Sequence, residues 1–430
     1  MKVLMLGWEY PPHISGGLGT ACEGLSRSLA QIGTELTFIV PHLYGDERAE
    51  HMRMFDADGH EDNSATTASS SNLRLQSRPI FSSYGALSEQ DSVAALRRIA
   101  QHHIPAELLQ VMQRSVEESL PLDRYSGDLF TEVARFASKV TLLFKDLDFD
   151  LVHAHDWMTF PAGVALAKAR GVPLVVHVHS LEQDRSGAGA NHRISEIERW
   201  GIDRADAAIA VSYYTRGLIQ QLHGVPTEKL FVVHNGIYSR QVVQRYRDES
   251  AWASKVVLFL GRVTFQKGPD YFVEAAARVV PHIPDVLFIL AGAGDMLPRM
   301  IDRVRELGIM RNFFFPGFVR GDDVERMFSI ADLYVMPSVS EPFGIAALEA
   351  ISYDTPVVIS KQSGVAEVLG HALKVDFWDV DKLAELMINA LLHDELREDM
   401  ISMAREELKR VHWDAAAIKA EEIYRDLLNR

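Results

Sequence analysis

One cysteine, Cys22, stands in a chain of 430 residues. A single thiol can form no intrachain disulfide and no cysteine-rich metal site, a usage that fits a reducing compartment. Long apolar runs are missing too, and no stretch approaches the ~18–20 apolar residues of a membrane span. The opening Met1-Lys2-Val3-Leu4-Met5-Leu6-Gly7 turns polar at Trp8-Glu9. It is too short for a signal-peptide core and lacks a cleavage site, so a cytoplasmic location is the expectation. Positive charge is scarce: 44 Lys and Arg face 59 Asp and Glu, for a formal net charge of −15. A general nucleic-acid binder carries a basic footprint, so nucleic acid is excluded as a partner. Broad adhesion to anionic lipid is disfavoured for the same reason.

At 47% hydrophobic and 24% charged, the composition is globular, and the length exceeds one ordinary core. The apolar run 3–6 reads as a buried strand. A helix follows with Leu25, Leu29 and Ile32 on one face, ended by Gly33, and then a strand over 36–40. That order gives a parallel pair with a right-handed crossover. The rhythm breaks from Gly45 to Ser92, where Asp56-Ala57-Asp58-Gly59 and the Ser/Thr/Ala-rich 63–71 read as a surface excursion. Helical stretches resume between 93 and 145.

The α/β alternation then returns, with strand 151–155, helix 161–169, strand 174–179 and a polar loop 180–190. A helix near 191–201 follows, then strands 207–211 and 230–233, the last running into the turn His234-Asn235-Gly236. The polar segment 239–254 reads as a boundary. Beyond it come strands near 256–260, 286–291, 313–315, 332–336 and 356–359, each with a helical pattern, and a last amphipathic helix from Trp413 to Leu428. The expected fold class is α/β, with two doubly wound domains facing across a cleft. The expected bounds are 1–240 with an excursion at about 45–130, then 241–412, then a terminal helix in 413–430. The halves share rhythm rather than residues.

In open parallel sheets, ligands sit beyond the carboxyl ends of the strands, which directs the search to the loops there. Gly16-Gly17-Leu18-Gly19 precedes a helix, where free N–H groups and the macrodipole favour phosphate; a flexible turn is the competing reading. A dinucleotide fingerprint would need glycine where Cys22 stands, so that cofactor is rejected. In Gly261-Arg262-Val263-Thr264-Phe265-Gln266-Lys267-Gly268, two cations and two glycines at a strand end suit a diphosphate. In Ser340-Glu341-Pro342-Phe343-Gly344-Ile345-Ala346-Ala347-Leu348-Glu349, Pro342 holds Glu341 out of the helix, and Glu349 falls within its first two turns. A proline-started helix with acids near its positive end is the bland reading; carboxylates placed to accept hydrogen bonds from sugar hydroxyls are the functional one.

Two strands carry histidines in pairs, His153 with His155 and His177 with His179, each pair on one face. A metal site competes there with pocket-lining hydrogen bonding, which the run of both pairs into loops favours. Asp-x-Asp pairs occur at 56/58, 146/148, 148/150 and 379/381. Aspartates 146–150 precede their strand, at the wrong end of the sheet for a ligand, and all four pairs read as solvated acids. No metal is expected.

Together these segments resemble the retaining glycosyltransferases of the GT-B fold, in the group-1 (family 4) class and among bacterial and archaeal glycogen and starch synthases. The motifs carrying the likeness are the N-terminal Gly-Gly-Leu loop, His-Ala-His-Asp-Trp (153–157), Asn235-Gly236, Gly-Arg-x-x-x-x-Lys-Gly (261–268), Gly292-Ala293-Gly294-Asp295 and Glu-Pro-Phe-Gly-x-x-x-x-Glu (341–349). The likeness spans nearly the whole chain except about 45–130.

The resemblance implies two Rossmann-like domains, a nucleotide-diphosphate sugar as donor, a carbohydrate acceptor such as an α-glucan, and transfer with retention and without a metal or other cofactor. It implies that Arg262 and Lys267 neutralise the departing diphosphate, with Gly16, Gly17, Phe343, Gly344 and Ile345 lining the donor. Glu341 would contact the transferred hexose, His179 would lie near the reacting sugar, Asp156 on the acceptor side, and Glu349 on the ribose. Gly292, Gly294 and Val319 would flank the base. The final helix would cross back to the N-terminal domain.

Two departures from glycogen and starch synthases stand out. Ile14 replaces a basic residue before Gly-Gly-Leu, and Glu349 replaces another residue type, which agrees better with family 4. The leading expectation is hexosyl transfer, of glucose from an ADP- or UDP-sugar. Surface-polysaccharide, lipid-linked-glycan or small-glycoside synthesis is the alternative, and a nucleotide-sugar epimerase is a further one.

Overall fold

The computed structural model describes residues 1–13, 16–47, 49–61, 129–238 and 254–430. The expected segments at 63–71 and 93–128, together with Ile14, Ser15 and the boundary at 239–253, lie outside the described residues. The rest divides into two compact units, one of residues up to 238 joined by 411–430, the other of 254–410.

The first unit begins with β1 (Lys2–Leu6), α1 (Gly17–Gln31), β2 (Glu35–Val40) and β3 (Arg53–Asp56). It continues through α2 (Leu129–Phe144), β4 (Leu151–His155), α3 (Phe160–Arg170), β5 (Leu174–Val178), α4 (Glu182–Ser186), α5 (His192–Arg204), β6 (Ala207–Ala210), α6 (Tyr213–His223) and β7 (Leu230–Val232). The strands form one parallel sheet in the order β3-β2-β1-β4-β5-β6-β7. Every residue of β4, β5 and β6 is buried, as expected for parallel strands covered on both faces. Strand alternation sends Leu4, Leu6, Val152, Ala154, Val176 and Val178 into a core shared with α2 and α3. The opposite face carries Phe38, His153, His155 and His177.

The second unit contains β8 (Val256–Leu260), α7 (Pro269–Val279), β9 (Leu287–Ala291), α8 (Leu297–Glu306), β10 (Phe313–Gly317), α9 (Asp322–Ile330) and β11 (Leu333–Met336). Then come α10 (Ile345–Ser352), β12 (Val357–Ser360), β13 (Leu373–Val375), α11 (Val380–Leu392) and α12 (Asp394–Leu408). Its parallel sheet runs β10-β9-β8-β11-β12-β13, around a core rich in Phe272, Phe288, Phe313 and Phe315. The last helix, α13 (Trp413–Leu428), packs against α1 in the first unit. Ile237 N donates to Val411 O at 3.2 Å where the chain returns to that unit.

The chain is thus α/β throughout, with two doubly wound Rossmann-like sheets. Four details differ from the sequence expectation. Arg53–Asp56, read as irregular, is the edge strand β3, paired in parallel with Thr37–Val40. Four residues with one apolar pair are too short to show a period. The polar loop 180–190 contains α4, held by side-chain hydrogen bonds that composition does not reveal, and a 3₁₀ turn over Gly187–Gly189. The helix after Pro342 begins three residues later, at Ile345, so it is not proline-started. The three residues of β13 were not anticipated.

Candidate active site

In each sheet the strand order reverses beside the first strand of its unit, between β1 and β4 and between β8 and β11. Loops leaving such a pair diverge to opposite faces and open a crevice at the carboxyl ends. Of the expected site residues, Gly16 and Gly17 follow β1, Asp156 follows β4, Arg262 and Lys267 follow β8 and Glu341 follows β11, whereas His179 follows β5, Gly292 and Gly294 follow β9 and Val319 follows β10.

In the second unit, Arg262 follows β8 and its Nη2 donates to Gln266 Oε1 at 2.9 Å. A 3₁₀ turn over Phe265–Lys267 brings the chain back, and Lys267 Nζ reaches Glu341 Oε2 at 2.5 Å. Ser338 Oγ donates to the same oxygen at 3.1 Å. Glu341 follows β11, and its backbone is clamped on both sides. Its N–H donates to Gln362 O and its carbonyl accepts from Gly364 N, both at 2.9 Å. The Tyr334 hydroxyl lies beneath, donating to Leu260 O at 3.2 Å. Burial first, then the nearby Glu341 and Glu349 carboxylates, push that phenol well above its usual range.

Gly344, at φ +107°, turns the chain into α10. Only glycine takes that angle readily. The N-cap of α10 is Gly344, which has no side chain to cap the helix, and the positive end of the helix dipole lies there. Ile345 and Glu349 are half-buried on this helix, whereas Phe343 is buried. Glu349 is therefore the second-turn carboxylate that the spacing predicts.

The Gly292–Gly294 loop is explained by packing. A Cβ at Gly292 would sit 1.8 Å from Gly261 O, and one at Gly294 would sit 2.2 Å from Val263 O. The loops after β8 and β9 are laced together, with Gly261 N to Ala291 O at 3.0 Å and Val263 N to Ala293 O at 2.9 Å. Gly292 N also donates to Gly317 O at 2.8 Å, which ties in the loop carrying the buried Val319.

In the first unit, Gly16 and Gly17 lead into α1, and an added Cβ at either meets nothing within 4 Å among the described residues. Glu9, which the sequence reading passed over, is buried after β1 and accepts from Gly19 N at 3.2 Å. The only available signal was an acid directly after a buried strand. Asp156 follows β4 in the left-handed region, at φ +58°. Its Oδ1 accepts from His179 N at 2.7 Å and Ser180 N at 3.3 Å, which fixes the loop after β5 to the loop after β4. Burial is the main reason that its carboxyl is pushed up to about 6; Arg185 and the two N–H groups oppose that rise. His179 Nε2 lies 2.9 Å from His155 Nδ1, and burial lowers His179 to about 3.

A second missed group lies behind Asp156. Arg185 bonds Glu182 and Glu198, both at 3.1 Å, and Glu198 also accepts from Glu182 N at 2.7 Å. The four strand histidines are buried: His153 and the terminal His155 lie on β4, His177 lies on β5, and His179 follows the end of β5.

The Asp-x-Asp pairs are not all solvated. Asp56 is buried and accepts from Asp58 N, His60 N and His60 Nδ1, each at 2.9 Å, because it closes the turn after β3. The remaining members lie at the surface or half-buried in ordinary roles. Asp58 pairs with Lys139, Asp148 with Lys2 and Asp381 with Arg278. Asp146 is exposed, Asp150 accepts from Lys2 N, and Asp379 caps α11.

Comparison with known proteins gives the family and the fold. Residues 243–407 match the family described as glycosyl transferases group 1, and residues 113–240 match glycosyltransferase family 4. The alpha-maltose-1-phosphate synthase of Mycolicibacterium smegmatis is 31% identical over 324 residues, covering 66% of this chain and 83% of that protein. The chain belongs to the group 1 glycosyltransferases. A glycogen synthase of Mycobacterium tuberculosis is 26% identical over 86% of this chain and 80% of its own length. Among solved structures, the sucrose-phosphate synthase of Thermosynechococcus elongatus matches with a TM-score of 0.73 at 19% identity, over 100% of this chain and 99% of that one. That likeness establishes the GT-B fold. Among the described residues of this glycosyltransferase, no helix is long and apolar enough to cross a membrane.

Proposed function

We propose that this glycosyltransferase moves glucose from an ADP- or UDP-sugar to a carbohydrate acceptor, with retention and without a divalent metal. The observation that carries the reading is the meeting of Lys267 and Glu341 at the strand ends of the second unit, beside Arg262 and the uncapped start of α10. As the bond from the sugar's anomeric carbon to the diphosphate breaks, its electron pair passes to the leaving phosphate oxygen. Arg262 and Lys267 stabilise that growing charge more than they stabilise the bound donor. Two fixed cations fill the role that a divalent ion would otherwise take.

The acceptor hydroxyl attacks the same face, and its proton passes to the departing phosphate. Glu341 accepts hydrogen bonds from hexose hydroxyls, and Glu349 from the ribose. Gly16 and Gly17 let the backbone approach the diphosphate. His179 lies against the reacting sugar, and Asp156 orients the acceptor.

Kinship to a glycogen synthase supports an α-glucan acceptor. A second reading, transfer to a small glycoside, is favoured by Glu349, which departs from the glycogen-synthase pattern, and by the kinship to an alpha-maltose-1-phosphate synthase. Incubation with ADP-, UDP- and GDP-sugars, with and without glycogen, tests both. Nucleoside diphosphate release that rises with glycogen, with an α-linked product by NMR, is expected. Release that ignores glycogen but responds to a small sugar or sugar phosphate selects the second reading. Acceptor-independent release of an epimerised free sugar overturns transfer.

A further inference from the structure

Four histidines stand where an α/β core ordinarily places aliphatic residues. His153 and His155 on β4 and His177 on β5 project from the sheet face that bears Phe38, while Tyr424 of α13 reaches His153. His179 follows at the end of β5. His155 and His177 are cross-strand partners, and the His153 and His177 ring centroids lie 5.3 Å apart. All are buried and their charged forms are disfavoured, so each imidazole is neutral, with one N–H and one lone pair.

Yet His153 Nε2, His155 Nε2 and both nitrogens of His177 have no hydrogen-bond partner among the described residues. Buried polar atoms without partners are costly and rare, and this many in one cluster call for a ligand.

We infer that His153, His155 and His177 bind a divalent transition-metal ion of the zinc class, as a structural site within the first unit. One ring nitrogen of each lies within 4.8 Å of the others. Ligands held about 2.0–2.1 Å from zinc are about 3.4 Å apart, so modest ring rotations close the triad. The outer nitrogens are already engaged in the way that metal-bound histidines require. His153 Nδ1 lies 2.7 Å from the Tyr424 hydroxyl, and His155 Nδ1 lies 2.9 Å from His179 Nε2.

Such partners fix the tautomer and aim the other nitrogen at the metal. With Nε2 of His155 on the metal, Nδ1 carries the proton and donates to His179. Three imidazoles suit Zn²⁺, Ni²⁺ or Cu²⁺ and discriminate against Mg²⁺ and Ca²⁺. A competing set, Cys22 with His155 and His179, satisfies the same distance criterion. The triad is preferred because it holds four unpartnered nitrogens, whereas His179 Nε2 in the competing set already faces His155. The site joins β4 and β5, with Tyr424 of α13 on His153, elements remote in sequence.

The test uses the full chain, analysed for metal as purified and then, after chelation under mildly destabilising conditions, titrated with Co²⁺ and Zn²⁺. About one equivalent of metal, saturable uptake giving the visible bands of four-coordinate Co²⁺, and a Tm that climbs with free Zn²⁺ are expected. His177→Phe, which keeps the bulk and removes the ligand, should lose the uptake, whereas Cys22→Ser should keep it. A thiolate-to-cobalt charge-transfer band that vanishes in Cys22→Ser overturns the triad. So does a folded wild-type chain that carries no metal and shows neither Co²⁺ uptake nor a Zn²⁺-dependent Tm. Should His177→Phe fail to fold, the wild-type metal content and spectrum still decide the matter.

Discussion

Lys267 Nζ and Glu341 Oε2 lie 2.5 Å apart although 74 residues separate them in the chain. One leaves β8 and the other β11, the two strands between which the sheet reverses its order. The pairing fixes the lysine ammonium at the strand ends, so on the proposed reading a diphosphate would meet a cation already in position rather than one recruited from solvent.

Lys267→Ala is therefore expected to lower turnover by about 10²–10³-fold, the scale of losing one preorganised charge-stabilising donor. Binding of the nucleoside diphosphate product should weaken as well, since the product keeps the charge. Arg262→Ala should act similarly, and the double variant should be less than additive because both act on one group. Steady-state kinetics and calorimetry check this; wild-type turnover in a folded Lys267→Ala protein refutes the assignment.

Glu349→Ala should behave differently. On the proposed reading Glu349 holds the ribose, which gains no charge during the reaction, so its loss would remove ground-state and transition-state binding alike. The expected result is a raised apparent KM for the donor with a much smaller change in kcat. A collapse of kcat at unchanged KM would place Glu349 at the reacting centre instead.

Glu198 makes the stability of the first unit depend on pH. Burial is the main cause that holds its carboxyl up at about 8 against a usual 4.5, and Arg185, shared with Glu182, offsets only part of it. The folded state thus binds more protons than the unfolded state between those values, so this group's contribution falls as pH rises from about 4.5 to 8. Glu198→Gln should remove that dependence. Its Tm relative to wild type should rise from pH 5 to pH 8; a constant difference across the range shows that Glu198 is already ionised.

Trp413, at the start of α13, is buried against Gly24 of α1. Trp413→Ala should cost about 3–5 kcal/mol, the range for removing a buried aromatic. Tyr424→Phe, which loses only the hydroxyl facing His153, should cost about 0.5–1.5 kcal/mol. Urea titrations of both variants give the comparison, and near-equal losses would show that α13 is held by its polar contact rather than by its aromatic face.

The alternation of apolar runs and helical periods was enough to read two parallel α/β sheets, because strands buried on both faces appear as short continuous apolar runs. The spacing within Gly261–Gly268 and Glu341–Glu349 was enough to propose an anion site, because glycine, cation and helix start are chemical features visible in a local string. Short elements escaped. The strand Arg53–Asp56 depends on pairing with β2 and the helix Glu182–Ser186 on side-chain bonds within its own turn and to Glu198, and a few residues cannot display a period. Asp56 read as solvated for the same reason, since its burial depends on the turn that closes over it.

Tertiary structure alone decided that Lys267 meets Glu341, that Arg185 reaches Glu198 as well as Glu182, and that the strand histidines are buried together. The first and last depend on which strands become neighbours, and the second on the packing of α4 against α5. Sheet order is set by the packing of whole layers and leaves no mark in any local stretch of sequence.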